Sequence, residues 1–388
     1  MHEELSYVLI TPYSLRKSRT GGIISRLLSR SGLQLIAGRM FAPSPELVNR
    51  FADLMVTETE AESKSRQTQE LIRDYILKSF AADEYGNRQR ALLLVLKGED
   101  AVLKTRLIAG PIGVERTSGE TIRDTYGDYV TENGKVTYFE PGVLVAQDVE
   151  SAKKHLRLWA EYSDTDGGLL DEAVTFPAGE NIEKTLVLIK PDNFRFPNGR
   201  PGGVIDLFSR TGLYIIGFKV HHMSVAEAMT FYGPVLDVVM DKLKEPSGKR
   251  AKLAVEQEFG VPLSEETESQ LGELLGPIIG RNHWETIVQF MAGSRPSQCD
   301  DETKARPGTE KCVALVYQGI NAVQKIREVL GPTDPSKAPT GTIRREFGQS
   351  IMINAAHASD SPENAAREME IIKVRENNLR PLIAAMAD

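Results

Sequence analysis

Residues 96–111, LKGEDAVLKTRLIAGP, align without a gap on residues 317–332, YQGINAVQKIREVLGP, with 7 identities in 16 positions. The match extends outward in both directions. At the same offset Thr121-Ile122-Arg123 falls on Thr342-Ile343-Arg344, and toward each start Ile10-Thr11-Pro12 falls on Ile189-Lys190-Pro191. Between them, residues 22–36 match residues 202–216 at 7 of 15 positions. Four collinear blocks are more than chance supplies, so the chain reads as two copies of one domain. The copies span residues 1–162 and 182–388, joined by the polar, glycine-containing stretch 163–181. A length of 388 residues suits two domains better than a single core.

Each copy opens on a short apolar run ended by proline, SYVLITP in the first and TLVLIKP in the second, which reads as a strand leading into a loop. GGVIDLFSRTG then places Val204, Leu207 and Phe208 at helical spacing, with Gly212 suited to a left-handed helix end. LYIIGFKVHH reads as a strand, and Ser224, like Ser44 in the first copy, as a helix N-cap. CVALVYQG, INAVQKIREVLG and SIMINAAHASDSPENAAREMEII supply a strand, a helix, a last strand and a last helix. The order β-α-β-α-β-α-β-α predicts an α+β protein of two ferredoxin-like (split βαβ) domains, each an antiparallel four-stranded sheet covered by helices. No Gly-x-Gly-x-x-Gly follows a strand, and SGKR at Ser247 to Arg250 lacks P-loop spacing, so a Rossmann or P-loop reading fails.

Composition narrows the function. With 41% hydrophobic and 26% charged residues the chain is an ordinary globular protein, and 47 Lys and Arg against 54 Asp and Glu give no positive field for nucleic acid or an anionic membrane. The start, MHEELSYVLITPYSL, is acidic before a short apolar run, the reverse of a secretory signal, and no stretch approaches the roughly 20 apolar residues of a membrane helix. A cytoplasmic protein is expected. Two cysteines, Cys299 and Cys312, make no disulfide framework, and six histidines form no zinc pattern. His221 and His222 alternate on a strand and cannot share a metal.

Three motifs in the second copy carry a family likeness: IKPDNF with Lys190, PTDPSKAPTGTIRREFG with Thr333 and Arg344, and INAAHASDS with His357. In this order they resemble the nucleoside diphosphate kinases, over about 184–233 and 277–373. Moving a γ-phosphoryl group between nucleotides needs both nucleotides at once or a nucleophile that stores the group between visits. A neutral imidazole attacks phosphorus at physiological pH, and a carboxylate on its other nitrogen fixes the tautomer. The resemblance makes His357 that nucleophile, Glu368 the orienting carboxylate and Ser359 its neighbour. It assigns Lys190, Arg327 and Arg344 to the phosphates, Thr333 to a hydroxyl contact and Asn354 to the ribose. It further implies ATP and nucleoside diphosphates as substrates, magnesium carried by the nucleotide, and a homo-oligomer. No residue is expected to ligate a resident metal.

The chain also departs from the family. Tyr232 fits one wall of the base platform, but RNHWE puts His283 where the family has an aromatic, with Trp284 beside it. Insertions stand near 234–276, expected as a helical pair or lid, and near 294–311, bracketed by the two cysteines. In the first copy Lys190 becomes Thr11, Tyr232 becomes Ala52 and Thr333 becomes Ile112, and FEPGVLVAQDVESA replaces the strand bearing His357. Arg106 and Arg123 persist opposite Arg327 and Arg344. The first copy therefore reads as a degenerate, non-catalytic domain standing in for a partner subunit. The competing readings are a non-enzymatic nucleotide-binding or scaffold protein and a protein-histidine phosphotransfer partner. Retention of the whole site set favours the kinase.

Overall fold

The computed structural model describes residues 3–56, 63–113 and 119–385. Along the N-terminal half run β1 (Glu3–Ile10), α1 (Pro12–Arg16), α2 (Thr20–Ser31), β2 (Gln34–Phe41), α3 (Pro45–Asp53), α4 (Ser63–Ser79), β3 (Ala91–Glu99), α5 (Ala101–Ala109), α6 (Ile122–Tyr126), β4 (Asp128–Glu132), β5 (Lys135–Glu140), β6 (Val143–Val145) and α7 (Val149–Glu161). The C-terminal half continues with β7 (Ile182–Ile189), α8 (Arg200–Phe208), β8 (Tyr214–His221), α9 (Val225–Phe231), α10 (Gly233–Lys242), α11 (Lys244–Phe259), α12 (Glu265–Ala292), α13 (Asp301–Ala305), β9 (Cys312–Ile320), α14 (Ala322–Leu330), α15 (Ile343–Phe347), β10 (Ala356–Ala358), α16 (Pro362–Ile372) and α17 (Leu379–Ala385).

The two halves build the same sheet. Strand order is β2-β3-β1-β6 in one and β8-β9-β7-β10 in the other. Register repeats as well: β1 pairs antiparallel with β3 from Glu3 opposite Glu99 to Ile10 opposite Leu92, and β7 with β9 from Ile182 opposite Ile320 to Ile189 opposite Val313. The central strands are buried on both faces, which is why they read as continuous apolar runs without alternation. The fold is α+β, two ferredoxin-like sheets. Gly32 and Gly212 close α2 and the turn after α8 at φ 64° and 69°, and Ser44 and Ser224 cap α3 and α9.

The chain forms two compact units, one reaching Val220 and resuming at Val313, the other His221–Cys312. In the first unit the halves pack closely. Helices α2 and α8 cross where Gly21 meets Gly202; a Cβ on Gly202 would stand 2.1 Å from the Ser25 backbone nitrogen. The ring of Phe218 on β8 covers Gly38 on β2. The stretch expected as a linker is not a loose spacer, since Ala42 N donates to Asp166 O, Gly168 N to Met40 O and Leu170 N to Ile216 O. It thus runs along edge strands of both sheets and occupies edge groups that would otherwise invite another strand. Helix α17, at the far end of the sequence, buries Leu379 and Ile383 in the N-terminal half's core beside Trp159 and Phe41.

Where the insertion 234–276 is expected as a helical pair or lid, the second unit holds α10, the longer α11 and the start of α12. Position 276 falls inside α12, which runs from Glu265 to Ala292 with Pro277 within it. Gly276-Pro277 resembles a break. Glycine serves packing there instead: a Cβ on Gly280 would lie 2.5 Å from Met240 Cα, and one on Gly272 would lie 2.7 Å from the Lys244 carbonyl oxygen. The second insertion carries α13, and both cysteines are free. Among the described residues no helix is long and apolar enough to cross a membrane.

Candidate functional site

The last strand of the C-terminal sheet, β10, is only three residues long and pairs His357 with Leu188 of β7. Just before it, Ala355 adopts φ 70°, a left-handed conformation that costs a non-glycine residue roughly 1 kcal/mol or more. Three bonds hold this turn. The Ala355 carbonyl accepts from Lys190 N at 2.9 Å and from Asn193 Nδ2 at 2.8 Å, and Asn193 Nδ2 also donates to Lys190 O. The turn carries the strand bearing His357 back onto the end of β7, which delivers Lys190.

The His357 ring is partly open to solvent, and its Nε2 lies 2.9 Å from Glu368 Oε2. Ser359, fully buried, donates to the same oxygen at 2.6 Å. Helix α16 positions this carboxylate. Ser361 caps the helix by accepting from Asn364 N, and Glu368 sits on its buried face. Arg367 Nη2 lies 3.7 Å from the other oxygen, Oε1.

Lys190 Nζ donates to Met352 O at 2.6 Å and to Asn354 Oδ1 at 2.9 Å. Burial draws its pKa down to about 8, Asp192 opposes that shift and Arg344 reinforces it. Asn354 is itself buried, donating Nδ2 to Thr333 O and Ile351 O. Its side chain is thereby tied to Lys190 and to the Thr333 backbone. Arg344 Nη1 donates to Gly331 O at 3.0 Å and Nη2 to Ala356 O at 3.3 Å. Thr333 and Arg327 are exposed. Arg327 lines a cleft of about 770 Å³ with Gly331, Thr342, Asp360 and Ser361; neither Lys190 nor His357 lines it. The Asp360 carboxyl is held below its usual range first by the Asn364 amide, with Arg327 and His357 adding to the effect.

Of the expected site residues, Lys190, Asn354, Arg344, His357, Ser359 and Glu368 form one connected patch of the first unit. Tyr232 and His283 belong to the second. There Tyr232 is buried with its ring tilted against Phe231 at 5.0 Å, and its carbonyl accepts from Trp284 Nε1 at 2.9 Å. Trp284 faces inward while His283 is exposed on the same helix. His221 pairs with Glu227, and among the described residues no group of three or more His, Cys, Asp or Glu could hold a metal ion.

The N-terminal half keeps the frame and changes the contents. Gly142, at φ 71°, occupies the place of Ala355, and Thr11 N donates to its carbonyl as Lys190 N does to Ala355. Counting on from that shared turn, Leu144 stands where His357 does, Ala146 where Ser359 does and His155 where Glu368 does. The pairing confirms the first of these, because Leu144 lies opposite Leu9 as His357 lies opposite Leu188. His155 is buried beside Tyr7, whose hydroxyl lies 2.8 Å from Nδ1, and burial lowers its pKa to about 4. The space of the carboxylate has become aromatic core. Arg123 survives with the partners of Arg344, bonding Gly110 O and Val143 O, the counterparts of Gly331 O and Ala356 O. The sequence did not expose Asn193 or Ala355 as site builders; the signal available was the alignment of Ala355 on a glycine.

The nucleoside diphosphate kinase family model matches residues 4–159 and 280–377. The nucleoside diphosphate kinase of Chlamydia abortus is 31% identical over 188 residues, covering 48% of this chain and 90% of that protein. That of Chlamydia pneumoniae is 30% identical over a stretch of the same length, 88% of its own chain. Among solved structures, an NDP kinase from Pyrobaculum aerophilum aligns at 29% identity and a TM-score of 0.32, over 49% of this chain and 95% of that one. With the family model spanning well over half of its length, this chain belongs to the nucleoside diphosphate kinase family.

Proposed function

We propose that the chain transfers the γ-phosphoryl group of ATP to nucleoside diphosphates in two displacements through a phosphohistidine at His357. The observation that carries this reading is the His357 Nε2 to Glu368 contact of 2.9 Å, backed by the Ser359 hydroxyl. A carboxylate on Nε2 keeps the proton there and leaves the Nδ1 lone pair as the nucleophile. Nδ1 attacks the γ-phosphorus, the bond to the β-phosphate oxygen breaks, and ADP departs with that electron pair. Glu368 stabilises the positive charge that grows on the ring. In the second displacement an oxygen of the acceptor's β-phosphate attacks the same phosphorus, the P–N bond breaks, and imidazole is regenerated.

Lys190 is proposed as the cation facing the non-bridging oxygens, with Asn354 holding its ammonium and Arg344, Arg327 and Thr333 completing the phosphate contacts. Magnesium belongs to the proposal as part of the nucleotide substrate, held by phosphate oxygens and spreading their charge. The base platform of Tyr232 and His283, the ribose role of Asn354, a cytoplasmic setting and the division at 162 and 182 rest on the resemblance and the repeat. We further take the N-terminal half as a built-in partner subunit, supported by the α2–α8 crossing and by α17 in its core.

Initial rates with ATP and GDP varied together test the mechanism. Parallel double-reciprocal lines are expected, and intersecting lines would show that both nucleotides must be bound at once. A scaffold protein would bind nucleotide without turnover. The alkaline limb of kcat/KM should lie near pH 8, because Lys190 is fully charged below its folded pKa of about 8 and loses its proton as pH rises through it. Lys190→Arg should move that limb upward. Lys190→Ala should cost about two orders of magnitude in rate while the fold persists. Near-normal turnover in folded Lys190→Ala would mean the phosphate site is misplaced.

A further inference from the structure

A cleft of about 190 Å³ lies where the N-terminal half meets the sheet of the C-terminal half, and no carboxylate lines it. Its cations come from the N-terminal half. Arg16 ends α1, and Arg90 directly precedes β3. Arg90 Nη1 donates to Ile215 O at 2.5 Å, and its guanidinium carbon lies 5.0 Å from the centre of the Tyr214 ring. Arg16 Nη1 donates to Gln89 Oε1 at 2.8 Å. Neither arginine has a carboxylate partner among the described residues. Thr20 and Gly21, the first two residues of α2, line the same cleft, and no side chain caps that helix. Its opening amides add the positive end of a helix of 12 residues to the two guanidiniums.

The C-terminal half contributes a hydroxyl that the fold does not use. Tyr317 of β9 lines the cleft; the residue is 1% exposed, and its hydroxyl has no hydrogen-bond partner among the described residues. Its backbone sits inside the sheet, between β7 and β8, so the phenol end is the part that reaches a cleft walled by Ile205 of α8 and Ser209 just after it. Leaving a buried hydroxyl unpaired is costly. The N-terminal half avoids that cost. Leu96 aligns on Tyr317 and takes the same register, opposite Ser6 as Tyr317 is opposite Thr185. An apolar residue thus suffices for the sheet at this position, which leaves the hydroxyl to be accounted for by what enters the cleft.

We propose that this cleft binds a small oxyanion of the phosphate class, seated between the Arg16 and Arg90 guanidiniums and the start of α2, with the Tyr317 hydroxyl as a further donor. Charge selects the class. Two guanidiniums and a helix start, with no carboxylate among the lining residues, leave positive charge that an anion offsets. Burial draws the Arg90 pKa down to about 10, Tyr214 opposes that shift and Arg16 reinforces it, and a bound anion relieves the same penalty. Size excludes a whole nucleotide, since pockets for drug-sized ligands begin at roughly 300 Å³. A phosphate group fits, either as the free ion or at the end of a nucleotide whose remainder stays outside. None of Lys190, Arg327, Arg344 or His357 lines the cleft, so the inference is independent of the phosphotransfer reading. An anion held there joins donors from both halves and should strengthen their contact.

Calorimetric titration of the full-length Lys190→Ala chain with sodium phosphate, against sodium chloride at equal ionic strength, tests the site with the proposed phosphotransfer cation removed. One phosphate per chain should bind, and adding Arg16→Gln or Tyr317→Phe should weaken it by about tenfold each. Both changes should leave the fold intact, because Arg16 is exposed and the position of Tyr317 carries leucine in the other half. A thermal melt gives a second reading. Without phosphate the Tyr317→Phe chain should melt no lower than its parent, and phosphate should raise the parent's melting temperature more than the variant's. Adding ADP to the phosphate-loaded chain separates the two sources: displacement assigns the cleft to a nucleotide's terminal phosphate, and retention assigns it to the free ion. Equal phosphate affinity in both folded variants overturns the inference, and is the result expected if a water alone meets the Tyr317 hydroxyl. Binding that disappears with Lys190→Ala while both arginines remain overturns it as well, since the ion then belongs to the phosphotransfer site.

Discussion

Replacing His357 by alanine is expected to abolish phosphotransfer, lowering turnover by about four orders of magnitude or more, because a covalent nucleophile has no substitute within its own site. The fold should survive the change. The N-terminal half already carries Leu144 at the equivalent position and still forms the strand, paired to β1 in the same register. His357 is also partly exposed, and Ser359 keeps its bond to Glu368 when the imidazole is gone. A thermal melt superimposable on that of the unmodified chain, together with nucleotide exchange at background, is the expected pair of results. Normal exchange by the alanine variant would remove the phosphohistidine from the mechanism.

The second large effect is expected from separating the halves. Residues 182–388 alone would expose the α8 face around Gly202 and Ile205, the Phe218 ring on β8, and the α17 residues Leu379 and Ile383. Fully burying one such side chain contributes about 1.5–3 kcal/mol, so exposing several at once approaches the whole stability of a typical domain. The isolated C-terminal half should therefore melt well below the full chain or aggregate, and residues 1–162 should show no transfer. A point change probes the same contact. Gly202→Val places carbon against the Ser25 backbone, which cannot turn aside, and overpacking of that kind costs about 1–3 kcal/mol or more. Gly233→Ala, with no neighbour within 4 Å, is the matched control and should melt unchanged. A C-terminal half with full activity and an unchanged melting temperature would show that the N-terminal half is no structural partner.

The sheets were legible because the evidence for them is local and doubled. Apolar runs ended by Thr11-Pro12 and Lys190-Pro191, and glycines at positive φ after α2 and α8, recur at matching places in both halves. What the sequence hid was non-local. Gly276-Pro277 carries the signature of a turn, yet the glycine is needed for helix contact, and sequence does not distinguish those uses. The stretch 163–181 looks like a spacer by composition, and its carbonyl and amide partners on β2 and β8 are visible only in three dimensions. The same holds for α17, whose apolar residues complete a core more than 200 residues away.

In the site, residue types were more informative than individual roles. Arg344 and Arg123 make equivalent bonds to backbone carbonyls, so an arginine assigned to phosphate also fastens α15 to β10. Its replacement mixes two effects, which makes Lys190 the cleaner probe of the phosphate site. His155 illustrates the converse. It carries no signal in the sequence, yet it stands at the position equivalent to Glu368 as a neutral, buried ring. With Leu144 at the position of His357, that half has neither the nucleophile nor the carboxylate to orient it.

Incubation of the full chain with γ-labelled ATP and magnesium, followed by isolation of the protein and a chase with unlabelled GDP, tests covalent storage on His357 most directly. The label should remain on the protein through isolation, be released by acid, be absent from His357→Ala, and pass to GDP in the chase. Label that reaches GDP only while ATP is still present, with none retained on the isolated chain, would contradict the two-displacement mechanism.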